Sequence, residues 1–181
     1  MICILQSQDR TKRNMEAHIR KATPDDAKAV ADVLNSVIHE RQYTVFTRPF
    51  TEGEERSFIS SLGERSAIFV AEVNHQIVGI QVIDLLVTYT DSMKHIATMG
   101  TWILPDFRGR KIGCLLAQES FQFAQCKGYE KVVIQVLASN EPALRFYSHL
   151  GFEAIGIAKK QVKLDSQFYD AVYLEKFLEG V

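Results

Sequence analysis

Charge imbalance is absent from this 181-residue chain: 21 Lys and Arg stand against 22 Asp and Glu, a formal net charge of −1. That balance excludes a generically polybasic nucleic-acid binder and a disordered acidic chain. It leaves room for one local site for a small anion. Cysteine is scarce as well. Cys3, Cys114 and Cys126 are odd in number, widely spaced and without a CxxC pair, which argues against a disulfide framework or a zinc knuckle. Buried or incidental thiols in a reducing compartment fit better. With 10 Gly and 4 Pro, collagen-like and low-complexity readings fail. No apolar run approaches the ~20 residues of a membrane helix. Met1 to Leu5 is apolar, but its positive charges follow instead of preceding it, the reverse of a secretory leader. A cytoplasmic location and no membrane partner are expected.

What is present suits one domain with a single buried core. Residues 1–14 read as a tail and 15–181 as the domain, with Met15 a second candidate start. Ala17 to Lys21 alternates as a short strand. Thr23-Pro24-Asp25-Asp26 starts a helix by cap, fixed φ and dipole charge. Val30, Val33, Leu34, Val37 and Ile38 then carry that helix to about Glu40. Arg41 to Phe50 reads as a loop, and Thr51-Glu52-Gly53-Glu54 is a capping box for a second helix with Phe58, Ile59 and Leu62 on one face. Strands follow over Ser66 to Val73 and Gln76 to Val87, hinged at Asn74-His75, and over His95 to Leu104, stopped by Pro105. Ile112 to Lys127 is helical, with Ile112, Leu115, Leu116, Phe123 and Cys126 as its apolar stripe and Gly128 as its stop. Lys131 to Ala138 is the most continuous β-branched run, as expected of a strand covered on both faces. A helix opened by Asn140-Glu141-Pro142 closes at Gly151, and strands over Phe152 to Gln161 and Phe168 to Phe177 form a last hairpin.

Two stretches carry chemistry. In Trp102-Ile103-Leu104-Pro105-Asp106-Phe107-Arg108-Gly109-Arg110-Lys111-Ile112-Gly113 a strand ends and a helix starts at once, with glycines and cations between. Unpaired N–H groups at a helix N-terminus, with the helix dipole, make an anion site. Gly109 and Gly113 would let a phosphate approach the backbone, and Arg108, Arg110 and Lys111 add charge. The same residues also fit a plain basic turn. In the second stretch, Asn140 sits at a strand-to-helix junction, able to cap the helix or bond an amide ligand. Tyr147 lies two turns further along the same face.

Together the strand-Pro-x-x-Arg-Gly-x-x-x-Gly segment and the Asn140-x-x-Ala143-x-x-x-Tyr147-x-x-x-Gly151-Phe152 block resemble the GNAT superfamily of N-acetyltransferases. Tyr43-Thr44, Thr47-Arg48-Pro49-Phe50-Thr51 and Glu54-Glu55 are similar to its phosphinothricin-acetyltransferase type, which acts on small amines and amino acids. The resemblance implies an α+β fold in three layers: a mixed, mostly antiparallel sheet of about seven strands with helices on both faces. It implies acetyl-CoA as co-substrate, no metal, and direct attack by a primary amine in a ternary complex. Backbone amides of Arg108, Gly109, Arg110, Lys111, Ile112 and Gly113 would hold the pyrophosphate. Ile103 and Leu104 would pair with the pantetheine arm and polarise the acetyl carbonyl, Asn140 would contact pantetheine or the acetyl end, and Tyr147 would be general acid to the leaving thiolate. Lys111 departs from the pattern, standing where the family has glycine; if that position needs positive φ, Lys is strained there.

An attacking amine must be neutral, so a group must accept its proton. Ile96 to Leu104 holds no carboxylate where relatives place one. His95 and Asp91 are the nearest candidates by position, Glu40 and Tyr43 lie in a loop that reaches the pocket in relatives, and a water relay is a further possibility. Cys114 beside the cofactor loop suggests a thiol intermediate or, from its place in a first helical turn, a packing role. The alternative function is a non-catalytic acyl-CoA sensor or interaction module. A dinucleotide-binding fold fails because its glycine loop belongs after the first strand. The expected acceptor is a small amine or amino-acid-like molecule, or a protein N-terminus. The chain is expected to be a monomer, or a homodimer through Phe168, Tyr169 and Tyr173.

Overall fold

A computed structural model describes residues 16–178. The tail, Met15 and Cys3 lie outside the described residues. The eleven helices and strands expected from the sequence are present in order: β1 (His18–Lys21), α1 (Ala27–His39), α2 (Glu52–Ser61), β2 (Ala67–Val73), β3 (Gln76–Leu85), β4 (Ile96–Ile103), α3 (Ile112–Cys126), β5 (Lys131–Leu137), α4 (Glu141–His149), β6 (Glu153–Leu164) and β7 (Gln167–Phe177). The strands form one seven-stranded sheet in the order β1-β2-β3-β4-β5-β7-β6. All neighbours are antiparallel except β4 and β5, which run parallel.

Local chemistry sets several of the element starts and turns. The Asp26 carboxylate receives the Thr23 N–H at 2.8 Å, closing a short 3₁₀ turn over Pro24–Asp26 that leads into α1. Thr51 and Glu54 cap α2 reciprocally, Glu54 N–H to Thr51 Oγ1 at 3.2 Å and Thr51 N–H to Glu54 Oε2 at 2.8 Å. Asn74 and His75 both take positive φ, 50° and 64°, as a tight two-residue hairpin requires. Asp165 and Ser166 do the same at 45° and 72°, which extends β6 and β7 beyond their expected limits.

Alternation along the strands divides the core in two. Phe69, Ile83, Met99, Ile134 and Val136 face α3 and α4, and pack with Leu116, Phe123 and Tyr147. Ile68, Val70 and Ile80 face the other way, against Val30, Val33 and Leu34 of α1 and Ile59 of α2. Two expectations fail here. The buried face of α3 is Ile112, Gly113, Leu116, Ala117, Ser120, Phe123 and Ala124, whereas Leu115 and Cys126 are exposed. The small residues let the helix lie close to the sheet, so they, and not every large apolar residue, define its inner face. β5 is not covered evenly on its two faces: Val132, Ile134 and Val136 are buried on one, whereas on the other Val133 is half-buried, Gln135 exposed and Leu137 alone buried. The core built by α1 and α2 sits on β2, β3 and β4 and stops short of β5.

The junction of β4 and β5 positions the site. They pair only at Ile96↔Lys131 and Ala97↔Val132 and then separate. On its other side β4 stays zipped to β3, with Leu86 N–H to Ile96 O at 3.1 Å and Leu104 N–H to Val78 O at 2.9 Å. Hydrogen-bonded pairing in an antiparallel ladder alternates, so the even-numbered residues of β4 bond β3. The odd-numbered ones, Met99, Thr101 and Ile103, turn their backbone groups to the opening.

Candidate active site

Polar and apolar groups meet at that opening. A cleft of about 660 Å³ runs from the end of β4 to the first turns of α3 and α4, lined by Thr101, Ile103, Gly109, Lys111, Asn140 and Tyr147 among others. Its mouth is the α3 N-terminus. There the N–H groups of Gly109, Lys111, Ile112 and Gly113 have no acceptor among the described residues, whereas those of Arg108 and Cys114 are held by Pro105 O and Lys111 O at 3.2 and 3.0 Å. Gly109 has φ 72° and Lys111 φ 64°. The condition for strain at Lys111 is therefore met. A non-glycine residue in the left-handed region costs about 1–2 kcal/mol. Gly113 has a different reason from the expected phosphate approach. A Cβ there would lie 2.9 Å from the Phe146 ring, so its missing side chain lets α4 pack against α3.

Arg108 does not add free charge at the mouth. Its guanidinium grips Glu40 with both arms, Nη1 to Oε2 at 2.8 Å and Nη2 to Oε1, while Nε bonds Ile103 O at 3.0 Å. The same group lies 5.2 Å from the Tyr43 ring centroid. The Glu40 hydrogen bond, foremost, raises the Arg108 pKa. Glu40, at the end of α1, is thus an anchor for the loop that follows, with both carboxylate oxygens engaged. Leu104 is committed too: its N–H bonds β3 and its carbonyl receives the Phe107 N–H at 2.9 Å, so its backbone is not on the opening. Arg110 has its guanidinium 5.5 Å from the Phe107 ring centroid and is not among the cleft-lining residues.

Asn140 is both cap and tether. Its Oδ1 accepts the Ala143 N–H at 3.1 Å, starting α4, and its Nδ2 donates to Tyr43 O at 3.4 Å. Tyr147 is buried, yet its phenol reaches the cleft, with Oη 3.1 Å from Thr101 Oγ1. Burial pushes its pKa up, opposed by hydrogen bonds from the Thr101 side chain and backbone. The phenol is protonated at neutral pH. Behind it Thr101 Oγ1 accepts from Gln81 Nε2 at 2.7 Å, a partner the sequence pattern did not single out.

His95 and Asp91 are not brought to this site. Both are exposed, and His95 precedes β4 at the end where the strand is still paired, ~20 Å from Thr101 at ~3.3 Å per residue. Cys114 is exposed on the cleft wall and does not pack into the core. Among the described residues no group of three metal-ligating side chains is assembled, and no helix is long and apolar enough to cross a membrane.

A sheet split beside a helix N-terminus, with a protonated phenol at its foot, has the geometry that acyl transfer from a phosphorylated carrier would require. Residues 35–152 match the Acetyltransferase (GNAT) family, and the chain belongs to that family of N-acetyltransferases. Phosphinothricin N-acetyltransferase of Streptomyces coelicolor is 22% identical over 167 residues, covering 89% of this chain and 96% of that one. L-amino acid N-acetyltransferase AaaT of Escherichia coli is 26% identical over 120 residues, covering 64% of this chain and 72% of its own. A Sinorhizobium meliloti phosphinothricin acetyltransferase crystallised with acetyl-CoA superposes with TM-score 0.82 at 18% identity, over 91% of this chain and 90% of the other.

Proposed function

We propose that the chain moves the acetyl group of acetyl-CoA to the primary amine of a small amino-acid-like acceptor, by direct attack with both molecules bound. The observation that carries this is the Tyr147 phenol, protonated and held on Thr101 at the foot of a cleft whose mouth offers unpaired N–H groups. Acetyl-CoA would supply a thioester carbonyl and two phosphates in line. The N–H groups of Gly109, Lys111, Ile112 and Gly113 fit the pyrophosphate, reinforced by the helix dipole and Lys111. The edge of β4 that has parted from β5 fits an extended amide-bearing arm at Thr101 and at the Ile103 N–H, Ile103 O being held by Arg108, and such an arm adds to it as a strand would.

Tyr147 donates its Oη proton to the departing sulfur. Neither Glu40, locked on Arg108, nor His95, outside the cleft, is in position to take the proton of the amine. That proton passes to water in the cleft and returns to the Tyr147 phenolate. The relatives that act on phosphinothricin and on L-amino acids favour an acceptor of that size.

Thiol release from acetyl-CoA, followed across L-amino acids, phosphinothricin, spermidine and a peptide with a free N-terminus, tests the reading. Turnover confined to the first two supports it. Turnover on the peptide alone would move the acceptor to protein N-termini, and acetyl-CoA binding without turnover on any amine would favour a sensor. Cys114→Ser is expected to retain activity, because direct attack has no thiol step.

A further inference from the structure

A phenol can donate a proton only if its own hydrogen is not already spent on a neighbour. Tyr147 Oη has Thr101 Oγ1 at 3.1 Å, and a hydrogen bond between two hydroxyls can run either way. If Tyr147 donates to Thr101, its proton is turned away from the cleft. The third member of the chain decides the direction. Gln81 stands opposite Thr101 across the β3–β4 ladder, at a non-hydrogen-bonded position where side chains come close. It is fully buried, 0% exposed, and its Nε2 lies 2.7 Å from Thr101 Oγ1. An amide NH₂ has no acceptor capacity, so Thr101 Oγ1 receives there. The one Thr101 hydroxyl hydrogen is then left to Tyr147 Oη, and the Tyr147 hydrogen points to the cleft.

The cost of this arrangement is visible. Gln81 Oε1 is buried without a partner among the described residues, a fault that native cores rarely tolerate. Leucine at this position would remove it. A group retained at such a cost, two hydrogen bonds from a reacting atom, is accounted for by orientation.

We propose that Gln81, acting through Thr101, aims the Tyr147 hydroxyl proton into the cleft, so that Gln81 and Thr101 are positioning residues for the proton donor. The inference rests on Tyr147 being that donor. As the amine nitrogen bonds the acetyl carbon, the carbon–sulfur bond breaks and its electron pair stays on sulfur. Sulfur takes the Tyr147 proton, and the proton shed by the amine returns through water to the phenolate, leaving the enzyme unchanged.

Steady-state acetylation, with acetyl-CoA and the fastest acceptor of the panel above, tests it. Thr101→Val is expected to lower kcat ~10-fold or more, within the range of general-acid effects, with KM for acetyl-CoA changed less than about twofold. Thr101→Ser, which keeps the hydroxyl, restores the rate. Gln81→Leu lowers kcat while the melting temperature holds or rises, because the orphan oxygen goes with the side chain. Thr101→Val added to Tyr147→Phe slows the enzyme no further than Tyr147→Phe alone, since both act at one atom. Multiplying effects in the double variant, or an undiminished kcat in a folded Thr101→Val, overturn the inference while Tyr147 keeps its role. An undiminished kcat in Tyr147→Phe, or turnover on no acceptor, overturns that role and the inference with it.

Discussion

Lys111 shows how much a single backbone angle decides. At φ 64° it caps α3 in a conformation suited to glycine, and it keeps the N–H that an anion needs. Its Cβ strain of about 1 kcal/mol is partly offset in the unfolded chain, where glycine has more freedom to lose. Lys111→Gly should therefore raise the melting temperature by roughly 1–3 °C. It should also weaken acetyl-CoA binding and flatten its salt dependence, which titrations at two ionic strengths would read. A second residue-scale prediction concerns acid. Both arms of Arg20 bond Asp26 at 2.8 Å, and that pairing, with the Thr23 N–H, pulls the Asp26 pKa from 3.8 down to about 2. Its folded value lies below its unfolded one, so its stabilisation is complete above about pH 4 and disappears as pH falls through about 2. Asp26→Asn should cost of order 1–2 kcal/mol at neutral pH, a difference that denaturant melts would see shrink across that window.

Elements meet at the site through contacts that local pattern cannot express. The end of α1 reaches the loop before α3 by Glu40 to Arg108, although the two residues are far apart in sequence. Arg108 read naturally as a phosphate cation, because its proximity to Gly109 was visible and its pairing was not. Glu40→Gln removes the carboxylate charge that holds the loop after α1. It should raise the acceptor KM severalfold and leave the pH profile of kcat in place; a ~10²-fold fall in kcat with loss of its acid limb would instead make Glu40 the base. Between α3 and α4 the decisive feature is an absence. Gly113→Ala sets a methyl 2.9 Å from the Phe146 ring and should destabilise the fold by about 1–3 kcal/mol. Thermal denaturation, with Phe146→Leu as the relieving partner change, checks it.

At the scale of the molecule, the order of elements was legible because periodicity, caps and turn residues agree along the chain. The Asn74-His75 hairpin and the Thr51–Glu54 box are local chemistry, and they fold as read. The limits of burial were not legible in the same way. Leu115 and Cys126 fit an apolar stripe on a wheel but face solvent, since the sheet meets α3 on its small residues. Val133 and Gln135 lie in a β-branched run, yet no helix covers their face. Of the candidate site, the loop from Arg108 to Gly113 was singled out by its spacing and Tyr147 by the family resemblance, while Thr101 and Gln81 were not singled out. Their link to Tyr147 exists only once β3, β4 and α4 are packed.

The cleft where β4 parts from β5 is the proposed acetyl-CoA site, and a crystal structure with acetyl-CoA bound tests it most directly. The pyrophosphate is expected on the N–H groups of Gly109, Lys111, Ile112 and Gly113, the pantetheine arm beside Thr101 and Ile103, and the sulfur within hydrogen-bonding reach of Tyr147 Oη. Pyrophosphate density away from the α3 N-terminus, or a sulfur far from Tyr147, would contradict it.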